Sequence, residues 1–376
     1  MTEAKPHKSK GKIGGFIHWL LVSFNVMAGL ALACSILAAH LPPTKIGYLC
    51  LLGLAFPIIY GIHILFAIFW ALKRNRWALM SGILLVIGFG HFSDFYQVNG
   101  TIRNEDQDGM HILTYNVHLF GVYDNEKGSE TRDSILHLLD QGEYDVMCFQ
   151  EFYQSGKKKV FETSDSIISK ANAPFHHEHL ITNPTTKQQF GVAIYSKHPM
   201  VGKGKVPFEN DSQNFCIYSD IAFDGDTIRV INAHLQSIRF KPEDYRFVDG
   251  EVNDIDKIDD GTIRIASQLK RAFLKREKQT QRVAETIRES PYPVVLCGDF
   301  NDTPISYTYS TFSNLLEDSF KEAGSGIGYT YIGEFPSFRI DYIMHSESLV
   351  ATEFETIEKK FSDHYAVRAR LKKKKS

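Results

Sequence analysis

Acidic and basic side chains are missing from two long stretches of this chain. No Asp, Glu, Lys or Arg occurs between Ile13 and Thr44, or between Ile46 and Leu72. Either run exceeds the roughly 20 residues needed to cross a bilayer core of about 30 Å. A core helix of a soluble protein keeps a polar face, so runs apolar on every face argue against that reading. The runs also lack ionisable groups other than scattered histidines, which argues against a transporter. Cysteine is scarce: five residues make no disulfide framework. Cys34 and Cys50 lie in the apolar part, and Cys148, Cys216 and Cys297 read as small buried strand residues. An excess of charge is missing too, with 42 Lys+Arg against 44 Asp+Glu, so the whole-chain balance implies no polyanion partner. Internal repeats are absent.

What is present divides the chain in two. Pro42 and Pro43 break the first apolar run from the second, and a third runs from Trp77 to Ser93. The expected organisation is a basic N-terminus (1–12), transmembrane helices over about 13–39, 46–72 and 77–93, a polar linker (94–108), a soluble domain (109–371) and a basic tail (372–376). The first run is too long for a signal-peptide core and a second follows at once. Lys5, Lys8, Lys10 and Lys12 precede the first helix and Lys73, Arg74 and Arg76 follow the second, whereas only Lys45 lies between them. The positive-inside rule then puts the N-terminus in the cytoplasm and, with three spans, the soluble domain outside it. The expectation is a multi-pass integral membrane protein that contacts the lipid bilayer through its N-terminal helices, with no protein partner evident. If the third run is only a connector, the domain stays cytoplasmic.

The soluble domain alternates strand and helix signals. Strands are expected at His111–Val117, Asp145–Phe149, Gly191–Ser196, Cys216–Phe223, Thr227–Leu235, Val294–Gly298, Ile340–Met344 and Tyr365–Leu371. Helices are expected at Ser134–Leu139, Lys157–Lys170 and Thr262–Glu289, and an acidic loop at Lys241–Gly261. That alternation implies a layered α/β domain.

Polar groups recur where the apolar strands stop. Leu113-Thr114-Tyr115 ends in Asn116, and Val146-Met147-Cys148-Phe149-Gln150 in Glu151. Val230-Ile231-Asn232-Ala233 ends in His234, and Val295-Leu296-Cys297-Gly298 in Asp299-Phe300-Asn301. Arg339-Ile340-Asp341-Tyr342 and Ser362-Asp363-His364 complete the series. A lone strand-end Asp is usually a cap and a lone His usually structural; six such endings in one domain point to a shared cleft.

In order and identity these endings resemble the endonuclease/exonuclease/phosphatase superfamily, which includes DNase I-like nucleases, AP endonucleases, neutral sphingomyelinases and inositol polyphosphate 5-phosphatases. The resemblance covers about Gly109–Leu371, and Gly298-Asp299-Phe300-Asn301 and Ser362-Asp363-His364 are its most specific pieces. It implies a four-layer sandwich of two packed mixed β-sheets flanked by helices, here preceded by transmembrane helices. Ser196 matches a family position and reads equally as a turn serine.

The chemistry of phosphate-ester hydrolysis assigns roles. It needs a nucleophilic water, compensation of charge on the phosphoryl oxygens and help for the departing alkoxide. Hard oxygen ligands suit Mg²⁺ or Mn²⁺, and Glu151, Asn116 and Asp363 are the expected metal ligands. Asp299 and Asn301 would orient the attacking water, either Asp299 or His364 would take its proton, and His364 would otherwise act as a cationic clamp, with Asp341 fixing its tautomer. His234 would contact the phosphate from the other side or act as acid. Arg339 is expected either at the phosphate or in a strand salt bridge.

For the substrate, the Trp-Cys-Asp-Arg wording of the 5-phosphatases is replaced by Pro336-Ser337-Phe338-Arg339-Ile340-Asp341, which lowers that reading. Lys241–Gly261 is acidic and disfavours a long polyanion, although Arg264, Lys270, Arg271, Lys275 and Arg276 follow it. A lipid or small phosphodiester is preferred as substrate. A DNase I-like or AP-type nuclease is the alternative, so nucleic acid is admitted but not favoured, and a catalytically silent, membrane-tethered binding module comes third.

Overall fold

Period-two alternation of apolar residues decides the architecture after Gly109, because successive strand residues point to opposite faces. The computed structural model describes residues 10–99, 108–123, 128–155, 161–209, 214–238, 240, 243–244, 255–333 and 338–374. Within them β2 (Met110–Asn116), β3 (Val146–Ser155), β4 (Phe175–Thr182), β5 (Gln188–Ser196), β13 (Leu349–Ile357) and β14 (Ala366–Lys373) form one six-stranded sheet in the order β13-β14-β2-β3-β5-β4. The other six-stranded sheet contains β6 (Met200–Val206), β7 (Phe215–Phe223), β8 (Asp226–His234), β9 (Val294–Asp299), β10 (Glu317–Asp318) and β12 (Asp341–His345), in the order β10-β12-β9-β8-β7-β6. A two-stranded ribbon joins β1 (Tyr96–Val98) to β11 (Ser325–Ile327).

The sheets face each other through one core that includes Ile112, Cys148 and Ile194 from the first, with Val230, Cys297 and Ile343 from the second. Their neighbours in sequence point the other way. Leu113, Met147 and Phe149 pack in a second cluster with Ile135 and Leu136 of helix α4 (Gly128–Gln141) and Ile167 of α5 (Thr163–Lys170). On the far side Ile231 and Leu296 pack with Val283 and Ala284 of α6 (Ile255–Arg288) and Phe312 of α7 (Tyr307–Ser313). The result is the expected four-layer sandwich of mixed sheets between helices.

Register brings the chemistry to one rim. The parallel pair β2–β3 aligns Asn116 with Gln150, and the parallel pair β8–β9 aligns His234 with Asp299. Antiparallel β12 begins opposite Asp299, at Asp341. Gly298 is required there: its φ is +138°, and a Cβ would lie 1.9 Å from the carbonyl oxygen of Ala233.

Several elements differ from the sequence expectation. β4, β6 and β13 were not expected, because all three end their sheets, β4 and β6 carrying His, Gly or Lys among their apolar residues and β13 carrying acids. The loop expected at Lys241–Gly261 is already helical from Ile255, and Asp244 within it is buried against Arg264, with Nε to Oδ1 at 2.7 Å. Residues 241–242 and 245–254 of that loop, 157–160 of the helix expected from Lys157, most of the 94–108 linker, positions 1–9 of the basic N-terminus and 375–376 of the basic tail lie outside the described residues.

The N-terminal region folds as α1 (Lys10–His40), α2 (Phe56–Leu72) and α3 (Trp77–Ser93), with short helical turns at Pro43–Ile46 and Leu51–Leu54. They run antiparallel in turn. His18 meets Trp70 at one end, with ring centroids 5.4 Å apart, and His40 meets His91 at the other, also at 5.4 Å. Three full-length spans are not what forms. Among the described residues one helix, Gly14–His40, is long and apolar enough to cross a membrane. The second apolar run is bent by 61° between Pro43–Leu54 and Phe56–Leu72, and Trp77–Ser93 is shorter. Proline and the break at Ala55 end the helical ladder, so composition alone overstated the second span.

Candidate active site

The rim where β2, β8 and β9 end, beside Glu151 of β3, gathers Asn116, Glu151, His234, Asp299 and Asn301 with Asp341, Asp363 and His364. Asp299, at the end of β9, is almost fully buried. The Asn116 side-chain amide donates to its Oδ2 at 3.0 Å, the backbone N–H of Asn301 donates to its Oδ1 at 2.8 Å, and the Asn301 amide reaches Oδ2 at 3.1 Å. Asn301 also donates to the carbonyl of Leu235 at 3.0 Å, from a backbone at φ +53°. Two imidazoles flank Asp299: Nε2 of His234 and Nε2 of His364 each lie 3.8 Å from Oδ2. His364 Nδ1 faces Asp341 Oδ2 at 2.9 Å, so its ring is fixed from behind by a carboxylate and presents Nε2 to the cleft.

These contacts set the charge states. Burial, and then the negative charge of Asp341, push the Asp299 carboxyl up to about 6. Burial alone would push the His364 imidazole down, but Asp341 and Asp299 raise it to about 10, so it stands as a cation between two acids.

Glu151 lies at the cleft floor with a backbone φ of +49°, an uncommon conformation for a side chain of this type. It sits where the pairing of β3 with β5 shifts register, between Phe149 and Phe152. That irregularity turns its carboxylate into the cleft. Its Oε1 is 3.9 Å from His234 Nε2. Loss of bulk water pushes its carboxyl up; His118 pulls it down and Asp363 pushes it up again. Asp363 in turn pairs with His118, Oδ1 to Nδ1 at 3.4 Å. Ser362 donates to the carbonyl of Asn116 at 2.8 Å and so ties the Asp363–His364 loop to the end of β2.

The residues present fit a hard divalent cation. Glu151 and Asp363 are neighbouring carboxylates that raise each other's affinity for positive charge, and their donors are oxygens. Asn116 is more committed than expected: its amide nitrogen holds Asp299, and its oxygen accepts from the backbone N–H of His118 at 3.1 Å. Asp299, Asp341 and His364 form a second locus, their ligand atoms all within 4.8 Å of one another. Its imidazole and one carboxylate are already bound to each other, which suits an orienting group better than a ligand set.

Arg339 corrects one expectation. It is 3% exposed, its guanidinium pairs with Asp318 at 2.7 Å and donates to the carbonyl of Asp94 at 2.8 Å, and the rings of Phe320 and Tyr342 lie against it. It is the salt-bridge alternative and does not line the cleft. Ser196 is a turn residue: it accepts from the N–H of His198 and stands opposite Val146 at the other end of β3.

Sequence reasoning passed over three groups. Gln150 is fully buried and donates to Asn232 at 2.7 Å and Thr114 at 3.0 Å, linking the two sheets beneath the site. His118 lies beside Asp363, and its place two residues beyond Asn116 was the available signal. Tyr331 packs edge-on against His364, with ring centroids 5.2 Å apart, through a pairing that no local pattern announces.

The cleft encloses about 400 Å³. Glu151, Asp299, Asp363 and His364 line its polar side, and Leu54, Ile238, Phe240, Ile265 and Leu269 line its apolar side.

Residues 113–364 match the model of the Endonuclease/Exonuclease/phosphatase family, and residues 18–95 match a model described only as a domain of unknown function. Among curated proteins, a phospholipase C of Staphylococcus aureus is 25% identical over 187 residues, which is 44% of this chain and 54% of that protein. The chain thus spans about half the length of the curated relatives it matches. Among solved structures, an endonuclease/exonuclease/phosphatase family protein from Leptotrichia buccalis superposes with a TM-score of 0.50 at 18% identity, over 70% of this chain and 100% of that one. D. rerio TDP2 complexed with a single-strand DNA product gives 0.52 at 15% identity, over 71% and 100%. At these identities the structural likeness is one of fold.

Proposed function

Since this chain belongs to the endonuclease/exonuclease/phosphatase family, we propose that it is a membrane-anchored, divalent-metal-dependent hydrolase of phosphate esters, with a lipid or small phosphodiester as its substrate. The observation that carries this reading is the convergence on one rim of Glu151, Asp299 and a doubly acid-flanked His364.

Asp299 takes the proton of the attacking water, because a carboxyl near 6 is ionised yet basic enough to accept it at neutral pH. Asn116 and Asn301 hold that carboxylate in one orientation. His364, kept cationic by Asp341, clamps a phosphoryl oxygen. His234 stands between Glu151 and Asp299 and approaches the phosphate from the opposite side to His364. Mg²⁺ or Mn²⁺ held by Glu151 and Asp363, with Asn116 beside them, supplies positive charge to the phosphoryl or leaving oxygen when bound.

The anchor is α1, the helix long enough to span. Near its N-terminal end His18 meets Trp70, in the last turn of α2 before the Lys73–Arg76 loop, and its C-terminal end lies on the α/β domain, where His40 meets Ser310 at 3.1 Å. The positive-inside rule then places the domain outside the cytoplasm, with α2 and α3 lying antiparallel in turn beside α1. A C-terminal alkaline phosphatase fusion tests the orientation: activity is expected, and an expressed but inactive fusion rejects it.

The chemistry is tested with the full chain in detergent, using bis-p-nitrophenyl phosphate, plasmid DNA and phospholipid micelles with added Mg²⁺ or Mn²⁺. Turnover that stops with EDTA supports the hydrolase. Preference for plasmid DNA selects the nuclease alternative. Silence on every substrate by a folded protein rejects the reading in favour of a binding module.

A further inference from the structure

The apolar side of the cleft is built jointly by two parts of the chain that sequence alone keeps apart. Leu54 comes from the helical turn between α1 and α2, whereas Ile265 and Leu269 come from one face of α6 and Ile238 and Phe240 from the segment after β8. This junction is packed rather than incidental. At Gly53 a Cβ would stand 2.6 Å from the carbonyl of Ile305, so the turn lies flush on the loop that follows Asp299 and Asn301. Ile305 is buried in one cluster with Leu32, Phe56 and Ile59 of the N-terminal helices. Thr44 donates to Glu277 of α6 twice, each at 2.8 Å, and Lys270 lies over the Tyr48 ring at 4.3 Å. The same chain runs on from Leu54 into α2, whose outer face exposes Ile58, Leu65 and Ile68. Apolar side chains therefore follow one another from the cleft wall at Leu54 to the exposed face of α2.

We infer that the cleft takes an amphiphilic phosphate ester, its phosphoryl group at Glu151 and His364 and a hydrocarbon chain along Leu54, Ile265 and Leu269. The N-terminal segment is then part of the substrate site as well as an anchor. Nucleotides and sugar phosphates would leave this wall wet, while a methylene chain covers it and is released from water as it binds. This deepens the phosphoesterase reading and rests on it for the placement of the head group.

The test uses the full chain in nanodiscs with Mg²⁺ and two substrates, ethyl and dodecyl p-nitrophenyl phosphate, both as free monomers. Each buried methylene contributes about fourfold, so kcat/KM is expected to be at least about tenfold higher for the dodecyl ester. Leu54→Asp and Ile265→Asp should each collapse that ratio towards one, and Phe240→Ser serves if either fails to fold. Metal-free calorimetry with ethyl- and dodecylphosphonate reads the same preference without turnover. Robust turnover with equal kcat/KM for the two esters, or equal phosphonate affinities, overturns the inference and leaves the phosphoesterase reading standing. No turnover but tighter binding of dodecylphosphonate upholds the chain site and defeats the hydrolase. Presenting the dodecyl ester within the disc lipid separates the sources: faster hydrolysis there points to a bilayer lipid, and equal or slower hydrolysis to a free amphiphile.

Discussion

The N-terminal helices and the α/β sandwich are packed by opposite rules. In the helices large apolar side chains face outward, as with Phe24 at 51% exposure and Val86 at 77%, while Asn25, Ser35, His63 and Ser81 are fully buried. Ser81 donates to Asn25 at 3.0 Å and Ser35 to the carbonyl of Leu52 at 2.9 Å, so polar groups join the helices to one another. In the sandwich the interior is apolar, and the buried charged groups Asp299, Asp341 and His364 stand at the cleft while Arg276–Asp302 and Arg339–Asp318 form buried ion pairs. With α1 proposed as a membrane anchor, the difference is the one that two solvents would produce. Water drives apolar groups inward, whereas hydrocarbon offers no such drive and leaves small and polar groups to make the helix contacts.

That contrast can be broken at several points, the largest effect coming first. Glu151→Ala should lower metal-dependent hydrolysis roughly a thousandfold, with thermal melting of the domain little changed; His364→Ala should lower it as far and also melt earlier, because it leaves Asp341 without its buried partner. A fall in melting temperature that accounts for the loss in Glu151→Ala would make that residue structural. Arg339→Met should do the reverse. It strands Asp318 without its partner and costs about 3–5 kcal/mol of stability, read by denaturant melting, while KM of the protein that remains folded holds. A selective rise in KM would return Arg339 to the phosphate.

Phe24→Asp, on the exposed face of α1, should cost about 2.5–3.5 kcal/mol of membrane insertion and move the protein out of the carbonate-washed membrane fraction. Unchanged fractionation would mean that this face meets water or protein. The smallest effect is expected at Glu322, within the sandwich. Burial would raise its carboxyl, but a hydrogen bond from His345 at 3.0 Å and one from the Ala351 N–H at 2.7 Å hold it below the usual value. A lowered folded pKa stabilises above the unfolded value and is lost as pH falls through the folded one. Glu322→Gln should therefore cost about 1 kcal/mol at neutral pH and progressively less in acid. A cost that does not change with pH would show the carboxylate charge to be irrelevant.

Much of the site was legible because its residues follow apolar runs that can only be strands. Asn116, Glu151, His234 and Asp299 end such runs, Asp341 opens β12 and His364 stands just before β14. Parallel and antiparallel register then carry all of them to one rim. Less legible were the strands with weak alternation. Phe175–Thr182 contains three histidines and Met200–Val206 two lysines and two glycines, yet both complete sheets because a neighbouring strand supplies the ladder.

By itself, then, the sequence determined the order of the strands, the residues at their ends and the placing of the apolar helices, since each depends on neighbours a few positions away along the chain. Tertiary structure decided what depends on distant partners. Arg339 became a brace because Asp318 and Asp94 close around it, the latter 245 positions away. His364 became a cation because Asp341 and Asp299 flank it. Leu54 became a wall of the cleft because the turn at Gly53 fits against Ile305. Charge state and burial are set by what lies within a few ångströms in space, and a pattern along the chain carries no record of that.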